Sequence, residues 1–236
     1  MTSSDFRQRA REALQGNWFS AVIAGLIASI LGGLTTSSGG SVSFESGDAE
    51  QYEQLIAELG LSEEMLNTLM VIMGVLAIVG LIYSIVMLIV GSAVSVGYAR
   101  YNLDLVSGIS SGVGTLFSRF SDWKTALWAR ILTGLRVFLW SLLFVIPGIV
   151  ASYSYAMVPY VLADNPFMSA SEALAESKRL MRGNRFRLFC LELSFIGWWF
   201  VAAFTLGIGS LWVTPYQQAA HAAFYKEIKQ EAPYFA

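Results

Sequence analysis

The sequence predicts an all-α polytopic membrane helix bundle, about six transmembrane helices in three hairpins, with short amphipathic interfacial helices. Three observations carry this reading. Of 236 residues, 55 % are hydrophobic and 14 % charged, whereas soluble domains have roughly 45–50 % apolar and about 25 % charged residues. Long uncharged apolar runs recur along the chain, and the mean hydropathy is +0.56. Lysine and arginine are confined to alternate segments. Twenty-one glycines without a period and a single cysteine exclude collagenous and disulfide-stapled classes.

The elements follow in order within a single membrane domain, 1–236. Residues 1–17 carry Arg7, Arg9 and Arg11 opposite Phe6, Ala10, Ala13 and Leu14, the spacing of an amphipathic cytoplasmic helix. A cleaved signal peptide has similar parts. The next run, span 1 at 18–34, ends in Gly32-Gly33-Leu34 rather than at an Ala-x-Ala site, so an uncleaved span is expected. Segment 35–65 is an acidic outer loop. Within it Tyr52, Leu55, Ile56 and Leu59 suit a short helix capped by Gly60. Span 2, 66–99, is uncharged and about 51 Å long at 1.5 Å per residue, more than the ~30 Å hydrocarbon core. Gly91 with Ser95 and Ala93 with Gly97 form two small-xxx-small pairs suited to close packing.

A cytoplasmic loop at 100–125 leads to spans 3 and 4, 126–146 and 148–163, read as a hairpin turning at Pro147-Gly148, where proline lacks an amide and glycine relaxes the backbone. Segment 164–187 is a cytoplasmic amphipathic helix opening on a capping box, Ser169 and Glu172, with Ala170, Ala173, Leu174, Ser177, Leu180 and Met181 on one face. Spans 5 and 6, 188–205 and 210–225, turn at Leu206-Gly207-Ile208-Gly209, and 226–236 is a cytoplasmic tail. The hairpins around Trp140 and Trp199 share a weak Gly- and Pro-punctuated echo. A repeat of that kind would be parallel.

The net charge of −2 hides the topology. Seven carboxylates and no base lie between residues 35 and 66, while all fifteen Lys and Arg fall in cytoplasmic segments except Arg130, near the cytoplasmic start of span 3, and Arg136, deeper inside it. The positive-inside rule therefore puts both termini in the cytoplasm.

The C-terminal half carries the strings Leu139-Trp140-Ser141-Leu142-Leu143, Ile146-Pro147-Gly148-Ile149 and Ser154-Tyr155-Ala156-Met157. Pro159-Tyr160, Leu162-Ala163-Asp164-Asn165-Pro166, Met181 with Gly183-Asn184, Phe189 to Trp198, and Pro215-Tyr216 with Ala223-Phe224-Tyr225 follow. Over roughly residues 95 to 225 this resembles the bacterial integral-membrane proteins of domain-of-unknown-function family 975, and Gly16-Asn17-Trp18 fits the family layout. The resemblance implies a multi-pass protein of the bacterial cytoplasmic (inner) membrane, distantly similar to the membrane domains attached to some glycerophosphodiesterases. It supplies no catalytic residue.

Ionisable groups inside apolar spans are costly and are the candidate ligand-binding residues. Arg136 and Glu192 reach similar depths and are expected to pair, and Gln217 and His221 lie i, i+4 on the last span. Three readings stay open for these four: a buried ion pair fixing helix register, a transport or lipid-headgroup pocket exchanging a proton at Glu192 or His221, and an intramembrane enzyme. No Gly-x-Ser-x-Gly, His-Glu-x-x-His or phosphate-loop motif occurs, so no enzyme is expected. One histidine and no Cys/His cluster predict neither metal nor cofactor, and Cys190 among Phe189 and Leu191 reads as a small buried hydrophobe. Expected partners are the bilayer, with anionic lipids at Arg182, Arg185 and Arg187, and a protein partner or second copy. No nucleic acid is expected. The function read from the sequence is a non-catalytic module that binds or organises lipid, a small anion or a partner. The alternative is a proton-coupled or lipid-translocating protein using the Arg/Glu/His cluster.

Overall fold

The computed structural model describes residues 2–32, 63–109 and 111–231. The expected acidic outer loop, with its short helix at Tyr52 to Leu59, lies outside the described residues apart from the start of the helix that follows it. Ten α-helices and two 3-10 turns are found among the described residues, with no strand. By contacts the chain forms two compact units, residues 35–87 and the remainder, 1–34 with 88–236.

Helix α3 (Glu63–Val106) is 44 residues long and uncharged from Leu66 to Ala99. Its part within residues 35–87 presents apolar side chains all round; Met70 is 66 % exposed and Ile85 50 %. A helix hydrophobic on every side needs an apolar medium on every side. Four helical stretches are long and apolar enough to cross a membrane: Asn67–Val106, Val113–Leu143, Val145–Asp164 and Arg185–Phe204. A fifth counts if the bent pair Ser3–Leu14 and Trp18–Ile30 forms one broken span.

In the other unit α1 (Ser3–Leu14) buries Phe6, Ala10 and Leu14, the face its spacing predicts. Gly16 takes φ +82, the left-handed turn open to glycine, and the chain bends by 105° into α2 (Trp18–Ile30). At 13 residues, about 20 Å, α2 is shorter than the expected span 18–34 and too short to cross alone. The small residues of α3 meet backbone rather than another helix's side chains. A Cβ on Gly91 would lie 2.6 Å from the Gly32 carbonyl oxygen, and one on Gly97 1.9 Å from that of Leu116, in the 3-10 turn Val113–Phe117.

The predicted hairpin of spans 3 and 4 forms, but its turn is at Phe144, three residues before Pro147. Helix α4 (Trp123–Leu143) ends there in extended backbone and α5 (Val145–Tyr155) begins. Pro147 occupies the first turn of α5, where an amide would have no helical acceptor, so it starts the second leg rather than breaking the first. Gly148 packs on Ser141, its would-be Cβ 2.2 Å from that Oγ, which closes the hairpin. Two turn residues, Ala156 and Met157, precede α6 (Val158–Asp164) within the expected span 148–163, which lies inside the stretch Val145–Asp164 that is long enough to cross. Helix α7 (Ala170–Leu180) matches its prediction: Ser169 and Glu172 form the capping box, and Ala170, Ala173, Leu174, Ser177 and Leu180 are buried. Within the expected span 188–205, two turn residues, Ser194 and Phe195, separate α8 (Arg185–Leu193) from α9 (Ile196–Phe204), while the stretch Arg185–Phe204 as a whole stays long and apolar enough to cross; α10 (Ser210–Glu231) runs beyond the predicted end of span 6.

Ser169→Ala removes the oxygen that accepts the Glu172 amide, and is expected to cost about 1 kcal/mol of stability, read as a lowered midpoint of thermal unfolding in detergent. The Glu172 carboxyl is held below its ordinary value by hydrogen bonds from the Ser169 hydroxyl and then its amide. A carboxyl depressed in the folded state stabilises above its unfolded value, and that contribution disappears as the pH falls through the depressed one. The gap between the wild-type and Ser169→Ala unfolding curves is therefore expected to narrow below about pH 4, where the Ser169 hydroxyl no longer meets a charged carboxylate, and not to close, because the bond from the Glu172 amide does not depend on pH.

Candidate functional site

Helix α8 packs on α5, and there the site forms. Tyr153 of α5 donates its hydroxyl to Glu192 Oε2 at 2.5 Å, and its ring meets Phe189 edge-on at 6.0 Å. His221 of α10 reaches toward the same carboxylate, with Nε2 3.8 Å from Glu192 Oε1, beyond hydrogen-bond range. That Nε2 is buried and makes no hydrogen bond among the described residues. One turn earlier, Gln217 accepts from Trp199 Nε1 at 3.1 Å. Glu192 and His221 thus come together as predicted, and Gln217 is engaged separately. Cys190, two residues before Glu192, is half-buried.

Arg136 is not part of this group. Its guanidinium lies over the Tyr155 ring, 5.8 Å from the centroid, and no Arg136–Glu192 ion pair occurs among the described residues. Tyr153 and Tyr155 are two residues apart on α5 and so point to different sides of it: the first takes Glu192, the second takes Arg136. Equal depth along two legs fixed the height of the two charges but not their azimuth. Tyr153 was missed because a tyrosine in an apolar run reads as an interface or packing residue; its only sequence signal was company with Ser152 and Ser154.

A second polar cluster ties α8 to the far end of α10. Arg187 Nη2 meets Glu227 Oε1 at 2.5 Å, while Nη1 meets Glu231 Oε2 and Asn184 Oδ1, both at 2.8 Å. The cation also lies over Phe224, 5.9 Å from its centroid. Farther along, Asp164 accepts from Lys229 and from the Tyr225 hydroxyl, and Tyr225 stacks on Tyr160, whose hydroxyl donates to Gln218.

Arg187, one of the three cations expected at anionic lipid, is engaged by two carboxylates. Arg179 is held by Glu176, whose carboxyl it keeps below the ordinary value. Of the cations at the turn from α7 to α8, Lys178 and Arg182 are exposed and Arg185 half-buried, with no acidic partner among the described residues, and the adjoining Phe186 is 72 % exposed.

The family model described as Protein of unknown function (DUF975) matches residues 130–232, which hold both polar clusters and this basic turn. No curated protein and no solved structure matches the chain.

Proposed function

We propose, for a chain whose residues 130–232 match the model of a family of unknown function, a non-catalytic module of the bacterial inner membrane that binds and organises anionic lipid. Both termini lie on the cytoplasmic side, where the lysines and arginines collect. The observation that carries the reading is the turn between α7 and α8: cations without acidic partners among the described residues, beside an exposed phenylalanine. Basic side chains at an anionic bilayer surface contribute about 1 kcal/mol each, and an exposed aromatic enters the headgroup layer. Phosphatidylglycerol is expected to raise the unfolding temperature of the purified protein in detergent more than phosphatidylcholine does. Arg182→Glu combined with Arg185→Glu is expected to remove the difference. Equal effects of the two lipids on the wild-type protein would rule out the proposal.

A second reading is favoured by His221, whose buried Nε2 has no hydrogen bond and faces the Glu192 carboxylate. A carboxylate already accepting from a tyrosine and standing beside an imidazole suits proton exchange during transport. Under this reading a pH gradient drives flux in proteoliposomes and Glu192→Gln stops it. Gradient-independent behaviour identical in both proteins returns the group to a structural role.

A further inference from the structure

The predicted topology takes the hairpin of α9 and α10 across the membrane, and the stretch Arg185–Phe204 is long enough to cross. Its neighbour α1 gives a different answer. Helix α1 runs antiparallel along α10: Phe6 meets Phe224 at 5.3 Å, and Arg11 Nε donates to the Tyr216 hydroxyl at 2.9 Å. Its outer face leaves Gln8, Arg9, Arg11 and Glu12 exposed. Arg7 donates to the Ser194 carbonyl at 3.3 Å, at the break between α8 and α9, the middle of that 20-residue stretch. An exposed helix bearing three arginines and a glutamate does not sit in hydrocarbon, so Tyr216 and Ser194 mark the headgroup level. From Tyr216 to the turn at Gly209 is about 10 Å along α10, and from Ser194 to Leu206 about 18 Å, against a hydrocarbon core of ~30 Å.

Three further features agree. Trp18 and Trp198 both pack on Tyr216, with ring centroids 6.5 and 6.1 Å away, an aromatic belt at the height of Arg11. The turn satisfies its own amides: Leu206 donates to Ala203, Gly207 to Ala202, Ile208 to Thr205, Gly209 to the Thr205 hydroxyl, and Ser210 to Gly207. Backbone in hydrocarbon requires this, whereas a turn in water does not. At the tip Leu206 adopts φ +52 and is 95 % exposed, with Phe204 and Ile208 beside it. A left-handed residue facing water would ordinarily be glycine or asparagine.

We infer that the hairpin of α9 and α10 is re-entrant: it dips into the leaflet on which α1 lies, and its tip at Leu206 rests on acyl chains near the bilayer midplane. This rests on the membrane reading above. The test uses the full chain carrying Cys190→Ala, in vesicles of phosphatidylcholine and phosphatidylglycerol, with a nitroxide on Leu206→Cys and, for reference, on Glu12→Cys. At residue 206 oxygen collisions are expected to exceed those of a water-soluble nickel chelate several-fold, the reverse of residue 12, and a membrane-impermeant maleimide reaches the thiol from neither side. Chelate access at 206 equal to that at 12, with maleimide labelling from the face opposite residue 12, would overturn the inference. Ile208→Cys serves in the same way if Leu206→Cys does not fold. Protein stripped from the vesicles by alkaline carbonate would defeat the membrane reading itself. Retained protein with an exposed tip defeats the re-entrant hairpin alone.

Discussion

Gly97→Ala is expected to destabilise the protein by about 3 kcal/mol, at the upper end for an overpacked site. The added methyl would lie 1.9 Å from the Leu116 carbonyl oxygen and 2.6 Å from its carbon, and both are backbone atoms. A flexible side chain could swing aside. The 3-10 turn Val113–Phe117 cannot, because Leu116 is itself buried in the core and the turn packs on α2. Relief therefore needs α3 and this turn to separate, exposing Tyr98 and Tyr101 on neighbouring turns of α3, both nearly inaccessible. Gly134→Ala is the control. A Cβ there meets nothing within 4 Å, the site is exposed, and α4 is regular around it. Alanine in place of glycine within a helix is expected to stabilise by roughly 0.5 to 1 kcal/mol. Unfolding in detergent, followed by helical circular dichroism, should move in opposite directions for the two variants.

Arg187→Ala is expected to cost a similar amount, about 3 kcal/mol, by leaving Glu227 without its arginine. The Glu227 side chain is only 8 % exposed and that of Arg187 29 %, so the pair is far from the screened surface bridges that contribute little. The loss extends beyond one ion pair. Arg187 also holds Glu231 and Asn184 and covers Phe224, so its removal loosens the join between the start of α8 and the end of α10. Removing both charges tells the two costs apart. Arg187→Met with Glu227→Leu is expected to recover most of the stability, since paired apolar side chains of similar volume avoid the desolvated carboxylate. A double variant as unstable as Arg187→Ala would show that packing on Phe224, not charge, dominates there.

Local signals in the sequence were read correctly where one element carried its own information. The capping box at Ser169 and Glu172, the buried face of α7, the Phe6, Ala10 and Leu14 stripe of α1 and the presence of a hairpin near Pro147-Gly148, though its turn falls at Phe144, all depend on residues within a turn or two of one another. What the sequence leaves unmarked depends on distant partners. Nothing between residues 188 and 205 marks the break at Ser194 and Phe195, since both residues are tolerated in helices and the C-terminal carbonyl at Ser194 finds its donor in Arg7. The lie of α1 along α10 joins Phe6 to Phe224, a contact with no local trace. Of the candidate site, Glu192 and His221 were legible because charge and imidazole are scarce in apolar runs, whereas Tyr153 was camouflaged among aromatics and Arg136 was separated by helix rotation. Arg187 was legible as a cation but not as a paired one, because Glu227 and Glu231 lie in what looked like a solvated tail.

On the proposed membrane reading, the exposed apolar surface faces lipid chains while α1 and α7 face headgroups and water. Vesicles containing a lipid with a diazirine at the end of its acyl chain test it directly, with cross-linked residues located by mass spectrometry. Labelling is expected on α3 between Met65 and Val86, around Phe144 at the first hairpin turn and around Leu206 at the second, with none on Arg9, Glu12, Glu172 or Arg182. Labels spread over α1 and α7, with the two turns and α3 unmarked, would contradict the account.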